Sequence, residues 1–92
     1  MLLAPSEITE GARPGFKTIG VDSIEGHTEY LSIEEGFLVP KDGGLLLAVR
    51  LVARDPRHQT VLIQLPVEAD SGANRVWVFE SALIDNTNEA VA

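Results

Sequence analysis

Ninety-two residues with 45% hydrophobic content and a net charge of −7 suffice for one domain with a modest core, in which folding removes roughly 60–65% of the unfolded chain's surface from water. The acidic balance disfavours a phosphate-backbone binder, which depends on many Lys and Arg contacts, and the lack of cysteine removes disulfides, thiolate metal ligands and thiol nucleophiles. No apolar run approaches the ~20 residues of a membrane helix, and Met1-Leu2-Leu3-Ala4 has neither the charge nor the length of a signal peptide.

Residues 1–15 hold Pro5, Gly11, Pro14 and Gly15 without a sustained period and read as an N-terminal arm, with at most a short strand at Glu7-Ile8-Thr9. Phe16 to Asp22 alternates and predicts a strand, Ser23 to Gly26 a turn, and His27 to Glu34 a second strand with Leu31 and Ile33 inward. Phe37-Leu38-Val39 is a short apolar strand stopped by Pro40, and Lys41-Asp42-Gly43-Gly44 is a turn. No stretch has a helical period.

The longest apolar block is Leu45 to Val67, which predicts a central long hairpin. Its odd positions Leu45, Leu47, Val49, Leu51 and Ala53 form a core face, and Val61, Ile63, Leu65 and Val67 continue it on the second strand. Opposed residues share a face in an antiparallel pair. A five-residue loop from Asp55 to Gln59 therefore pairs Arg54 with Thr60, Leu51 with Ile63 and Arg50 with Gln64, whereas a four-residue loop mixes the faces. Glu68 to Asn74 is a loop, and Arg75 to Glu80 a strand. Pairing Val67 with Arg75 turns Trp77 and Phe79 to the core and leaves Val76 and Val78 outside. Ser81-Ala82-Leu83 fits a helical turn, and residues 85–92 read as a frayed tail.

This pattern predicts a single all-β domain, a small five- to six-stranded antiparallel barrel or sandwich. The ending Arg-Val-Trp-Val-Phe-Glu-Ser-Ala-Leu-Ile, residues 75–84, resembles the close of Src-homology-3-like small barrels, over roughly a quarter of the chain. That resemblance implies a binding module. Tyr30 and Trp77 are the chain's one Tyr and one Trp, too few for the aromatic groove that takes proline-rich ligands.

Two groups of residues suggest chemistry. Ser23, His27 and Asp22 have the residue types of a nucleophile, a base and its orienter, but lie closer in sequence than such triads usually do. Glu25, His27 and Glu29 alternate on one strand face, a spacing that suits metal ligands, though a site needs three or four converging donors. The expectation is no catalytic residue, no metal and no cofactor. Separately, Arg50-x-x-x-Arg54 with Arg57, and Asp22-Ser23-x-x-Gly26, resemble the two motifs of PilZ domains, in reversed order and without the spacer before Ser23. That resemblance implies an anionic nucleotide ligand, cyclic di-GMP.

The even face of the hairpin carries Leu46, Ala48, Val52 and Leu62, interrupted by Arg50, Arg54 and Gln64. A fully wet face would hold fewer branched apolar residues, and apolar area with interspersed Arg is what interface cores favour. The sequence therefore predicts a non-enzymatic interaction or assembly module, self-associating or bound to a protein partner in the cytoplasm or in a particle assembled there. Arg50, Val52, Arg54, Leu62 and Gln64 on the sheet, with Arg57 and His58 at the hairpin tip, are its expected interface. The alternative is a sensor that holds a small anionic ligand with Arg50, Arg54 and Arg57.

Overall fold

The computed structural model describes residues 1–84, so the predicted tail 85–92 lies outside the described residues. The described residues are all-β and antiparallel, in three sheets, none of which closes on itself. One sheet joins β2 (Glu7–Glu10), β3 (Phe16–Asp22) and β4 (Thr28–Glu34) in chain order. A second contains β1 (Leu2–Leu3), β5 (Leu38–Lys41), β6 (Gly44–Ala48) and β10 (Leu83–Ile84), in the order β10-β1-β6-β5. The third is β7 (Arg50–Asp55), β8 (Thr60–Gln64) and β9 (Arg75–Phe79). Single 3-10 turns, Glu35–Phe37 and Glu80–Ala82, lead into β5 and β10.

The inner rows of all three sheets meet in one core of Leu3, Ile19, Val21, Leu31, Ile33, Leu47, Val49, Val61, Ile63, Leu65, Val76 and Val78, among others. The Cα extents are 39 × 33 × 17 Å, and the short axis suits two sheet layers packed about 10 Å apart.

Four expectations are corrected. The first concerns the predicted N-terminal arm. Residues 1–15 contribute two strands, and β1 sits between β6 and β10 with Leu2 and Leu3 buried. Two residues are too few to show a period.

Second, the first long strand is broken. Val49 leaves the ladder between β6 and β7, its N–H donating to the Met1 carbonyl at 2.9 Å. β6 therefore pairs with β5 and β1, and only β7 pairs with β8.

Third, the hairpin uses the four-residue loop that face-matching excluded. Asp55 pairs with Thr60, while Arg50–Gln64 and Leu51–Ile63 pair as expected. The ladder slips between Leu51 and Ala53, so Val52 is a β-bulge. One extra residue on one strand reverses the alternation beyond it, and the two departures compensate.

Fourth, β9 has the opposite phase. Gln64 pairs with Arg75, Ile63 with Val76, Leu62 with Trp77 and Val61 with Val78. Val76 and Val78 therefore face the core, and Trp77 and Phe79 face outward. Pro66 has no N–H for a ladder, so β8 stops before it, and the Leu65 N–H closes the loop on the Asn74 carbonyl at 2.8 Å.

Candidate interaction surface

The outer face of β7-β8-β9 follows from these registers as three rows: Arg50, Gln64 and Arg75; Ala53, Leu62 and Trp77; Asp55, Thr60 and Phe79. Trp77 is 37% exposed and Phe79 53%. The β3–β4 turn extends the apolar area. Its Ser23 N–H bonds the His27 carbonyl at 2.8 Å, Gly26 takes φ +90°, and the Ile24 N–H donates to the Trp77 carbonyl at 3.0 Å. That bond ties the turn to the edge of β9 and sets the half-exposed Ile24 side chain beside the indole.

Ile24, Asp55, His58, Thr60 and Trp77 line a groove of about 330 Å³. His58 also borders a second hollow of about 520 Å³ with Gln59, Phe79, Glu80 and Ser81. The β7–β8 turn is shaped by its own hydrogen bonds. Asp55 accepts from the Arg57 N–H at 3.2 Å and meets His58 Nδ1 at 2.8 Å. The imidazole contact holds the Asp55 carboxyl below the usual carboxylate range. Gln59 adopts φ +55°, a left-handed conformation, as the chain enters β8.

The sequence-predicted residues divide across this geometry. Leu62 and Gln64 are half-buried in the outer rows, Arg50 is exposed beside Gln64, and Arg57 and His58 are exposed in the turn. Val52 is 38% exposed at the bulge. Arg54 leaves the set: the bulge puts it opposite Val61, on the other side of the sheet from Arg50, where its guanidinium bonds Glu80 Oε1 at 2.9 Å. Four residues would separate two side chains on one face of a regular strand, so the bulge is what parts these arginines. Leu46, expected on this face, lies instead in the β10-β1-β6-β5 sheet, buried opposite Val39.

Sequence reasoning missed Trp77, Phe79, Ile24 and Arg75. Arg-Val-Trp-Val-Phe is apolar in both phases apart from its first residue, which leaves Arg75 as the one cue. A strand whose outer row begins with Arg75 continues through Trp77 and Phe79.

The histidine in the β3–β4 turn belongs to a polar chain. Ser23 Oγ lies 3.2 Å from His27 Nδ1, His27 Nε2 lies 2.9 Å from Glu29 Oε2, and the Ser71 hydroxyl donates to Glu29 Oε1 at 2.6 Å. An imidazole protonated on Nε2 satisfies both of its contacts, donating to Glu29 and accepting from Ser23. The orienting carboxylate is thus Glu29 and not Asp22, which accepts from Thr28 at 2.8 Å. Ser23 is 6% exposed and its oxygen accepts the Glu25 N–H at 3.2 Å, so the hydroxyl is spent on shaping the turn. Hydrogen bonds from Ser71 and then His27 hold the Glu29 carboxyl below the ordinary glutamate range. Among the described residues no three His, Asp or Glu side chains converge as a metal site, and no helix is long and apolar enough to cross a membrane.

A scan against protein-family models, a search of curated proteins and a search of solved structures each returned no match for this chain.

Proposed function

We propose that this protein is a non-enzymatic self-association module whose contact surface is the outer face of β7-β8-β9. The observation that carries the reading is the pair Trp77 and Phe79, alternate residues of one strand and both outward, 37% and 53% exposed. Leu62 and Ile24 extend the apolar area, and Arg50, Arg75 and His58 rim it. Interface cores are enriched in Trp, Phe and Arg, and truncating such anchors typically dominates the binding energy. Burying about 300 Å² of apolar surface contributes roughly 7 kcal/mol before the costs of association.

The Src-homology-3-like small barrel remains the architecture we favour. Its support is the chain's close, where β9, the Glu80–Ala82 turn and β10 run on without a break and β10 pairs with β1. The passage from β6 into β7 through the single residue Val49 likewise couples two of the sheets.

Light scattering across a concentration series tests the function. Wild type is expected to exceed one chain's mass at high concentration, with Trp77→Ala weakening association by about 30-fold, or ~2 kcal/mol. A wild-type particle that stays at one chain's mass throughout would remove the proposal.

A further inference from the structure

The two outer sheet faces carry opposite charge. On β2-β3-β4 the outward residues include Glu7, Asp22 and Glu34, against one cation, Arg13, whose guanidinium lies 4.1 Å from the centre of the Phe16 ring. The inward row keeps its own balance, Lys17 bonding Glu10 at 2.6 Å. On β7-β8-β9 the outward residues Arg50 and Arg75, with Arg57 in the turn, stand against one acid of the strands, Asp55, while Glu80 just past β9 is neutralised by Arg54. Arg50, Arg75 and Glu34 have no side-chain partner among the described residues. One face thus has a balance of −2 and the other +2.

Their shapes also suit contact. Gly20, between Glu7 and Tyr30 in the ladder, has no side chain, and Glu7 bonds the Tyr30 hydroxyl across it, raising the phenol above its usual range. The result is a low acidic surface with a partly exposed aromatic ring. The inner faces of both sheets share one core, and the two outer faces are separate surfaces that meet only at the β3–β4 turn, where Asp22 and Phe79 line one hollow.

We infer that the partner of the Trp77–Phe79 face is the acidic Glu7–Tyr30–Glu34 face of a second copy of this chain, a head-to-tail contact that repeats from copy to copy. This rests on the self-association reading above and adds the identity of the opposing surface. Pairing two Trp77–Phe79 faces would bring together two surfaces of the same net positive charge, which charge complementarity disfavours. A heterologous contact either closes into a ring or continues as a filament. Mass therefore rises beyond two chains, and association weakens about tenfold or more between low and high salt, because the rim charges are screened.

Mixing two variants decides it. Trp77→Ala with Arg75→Glu blocks the aromatic face, and Glu7→Lys with Glu34→Lys blocks the acidic one. All four positions are exposed, and circular dichroism checks that each variant folds. Should either double variant lose its β signal, the single changes Arg75→Glu and Glu34→Lys replace it. Each variant alone is expected to stay at one chain's mass, and an equimolar mixture to form a pair that grows no further, since each has one live face. If the acidic-face variant associates like wild type while the aromatic-face variant does not, this inference fails and self-association through Trp77 stands. If the aromatic-face variant associates like wild type, both fail. Two monomeric variants that ignore each other when mixed also overturn the head-to-tail contact.

Discussion

Glu29 occupies the inner row of β4, opposite Val21, yet it is an acid and only 8% exposed. A carboxylate in such a place has to be hydrogen-bonded, and Ser71 and His27 take one oxygen each. These bonds favour the charged form, so its proton leaves more readily in the folded chain than in the unfolded one. The sign follows from linkage. Over the acid range the unfolded state binds more protons, so this contribution is present above the ordinary glutamate range and fades as pH falls through the depressed folded value. Asp55 is shifted in the same direction by His58, but it stands in solvent and contributes less. In thermal melts between about pH 3 and pH 7, Glu29→Gln is expected to cost most at neutral pH, with the gap to wild type narrowing in acid. Parallel curves would mean that the charge of Glu29 does not stabilise the fold. Three of the four residues of this cluster were legible in the chain. Ser23 and His27 flank one turn, and His27-x-Glu29 is the spacing of neighbours on one strand face. Ser71 was not, because its 42-residue separation from Glu29 becomes contact only through the loop that follows β8.

Among the elements, β7 shows what alternation reveals and what it hides. The pairs Arg50–Gln64 and Leu51–Ile63 follow from matching apolar rows, as does the inward set Val61, Ile63 and Leu65 on β8. The bulge at Val52 leaves no trace in the sequence, since a half-exposed Val suits a regular strand and a bulge equally. For β9 the difficulty is different. Both of its phases are apolar, so the choice fell to the preceding loop, whose length depends on where Pro66 ends β8. The bulge yields a prediction of its own. Deleting Val52 joins Leu51 to Ala53 without moving either partner, so the ladder becomes regular and every side chain keeps its face. The fold is expected to survive with its Arg54–Glu80 pair intact. What changes is the edge: β7 pairs only with β8, and a bulge is one of the devices that keep an exposed edge from recruiting further strands. The deletion should leave the circular dichroism spectrum in place and raise the rate of thermal aggregation. Loss of the fold would show that the twist introduced at Val52 is required for the bend from β6 into β7.

For the whole molecule, β1 carries more than its two residues suggest. Leu3 pairs with Leu47 on β6 and with Leu83 on β10, so it joins the chain's end to its middle. The Ala4 N–H donates to the Ala82 carbonyl at 2.9 Å, and the Met1 carbonyl accepts from Val49 at 2.9 Å. The β10-β1-β6-β5 sheet therefore loses its centre if β1 leaves. Leu3 is 1% exposed within the shared core, where Leu→Ala typically costs about 2–5 kcal/mol. A chain this short has a total stability of roughly 5–14 kcal/mol. Leu3→Ala is accordingly expected to lower the thermal midpoint by more than about 10 °C and to do so in one transition, because the core it opens is lined by all three sheets. A variant that instead loses only the β1–β10 contacts would melt in two steps, with the Trp77 fluorescence change following the first loss of β signal. Trp77 reports on β7-β8-β9, remote in the ladder from Leu3, so coincident fluorescence and circular dichroism midpoints are the result that shows one cooperative unit.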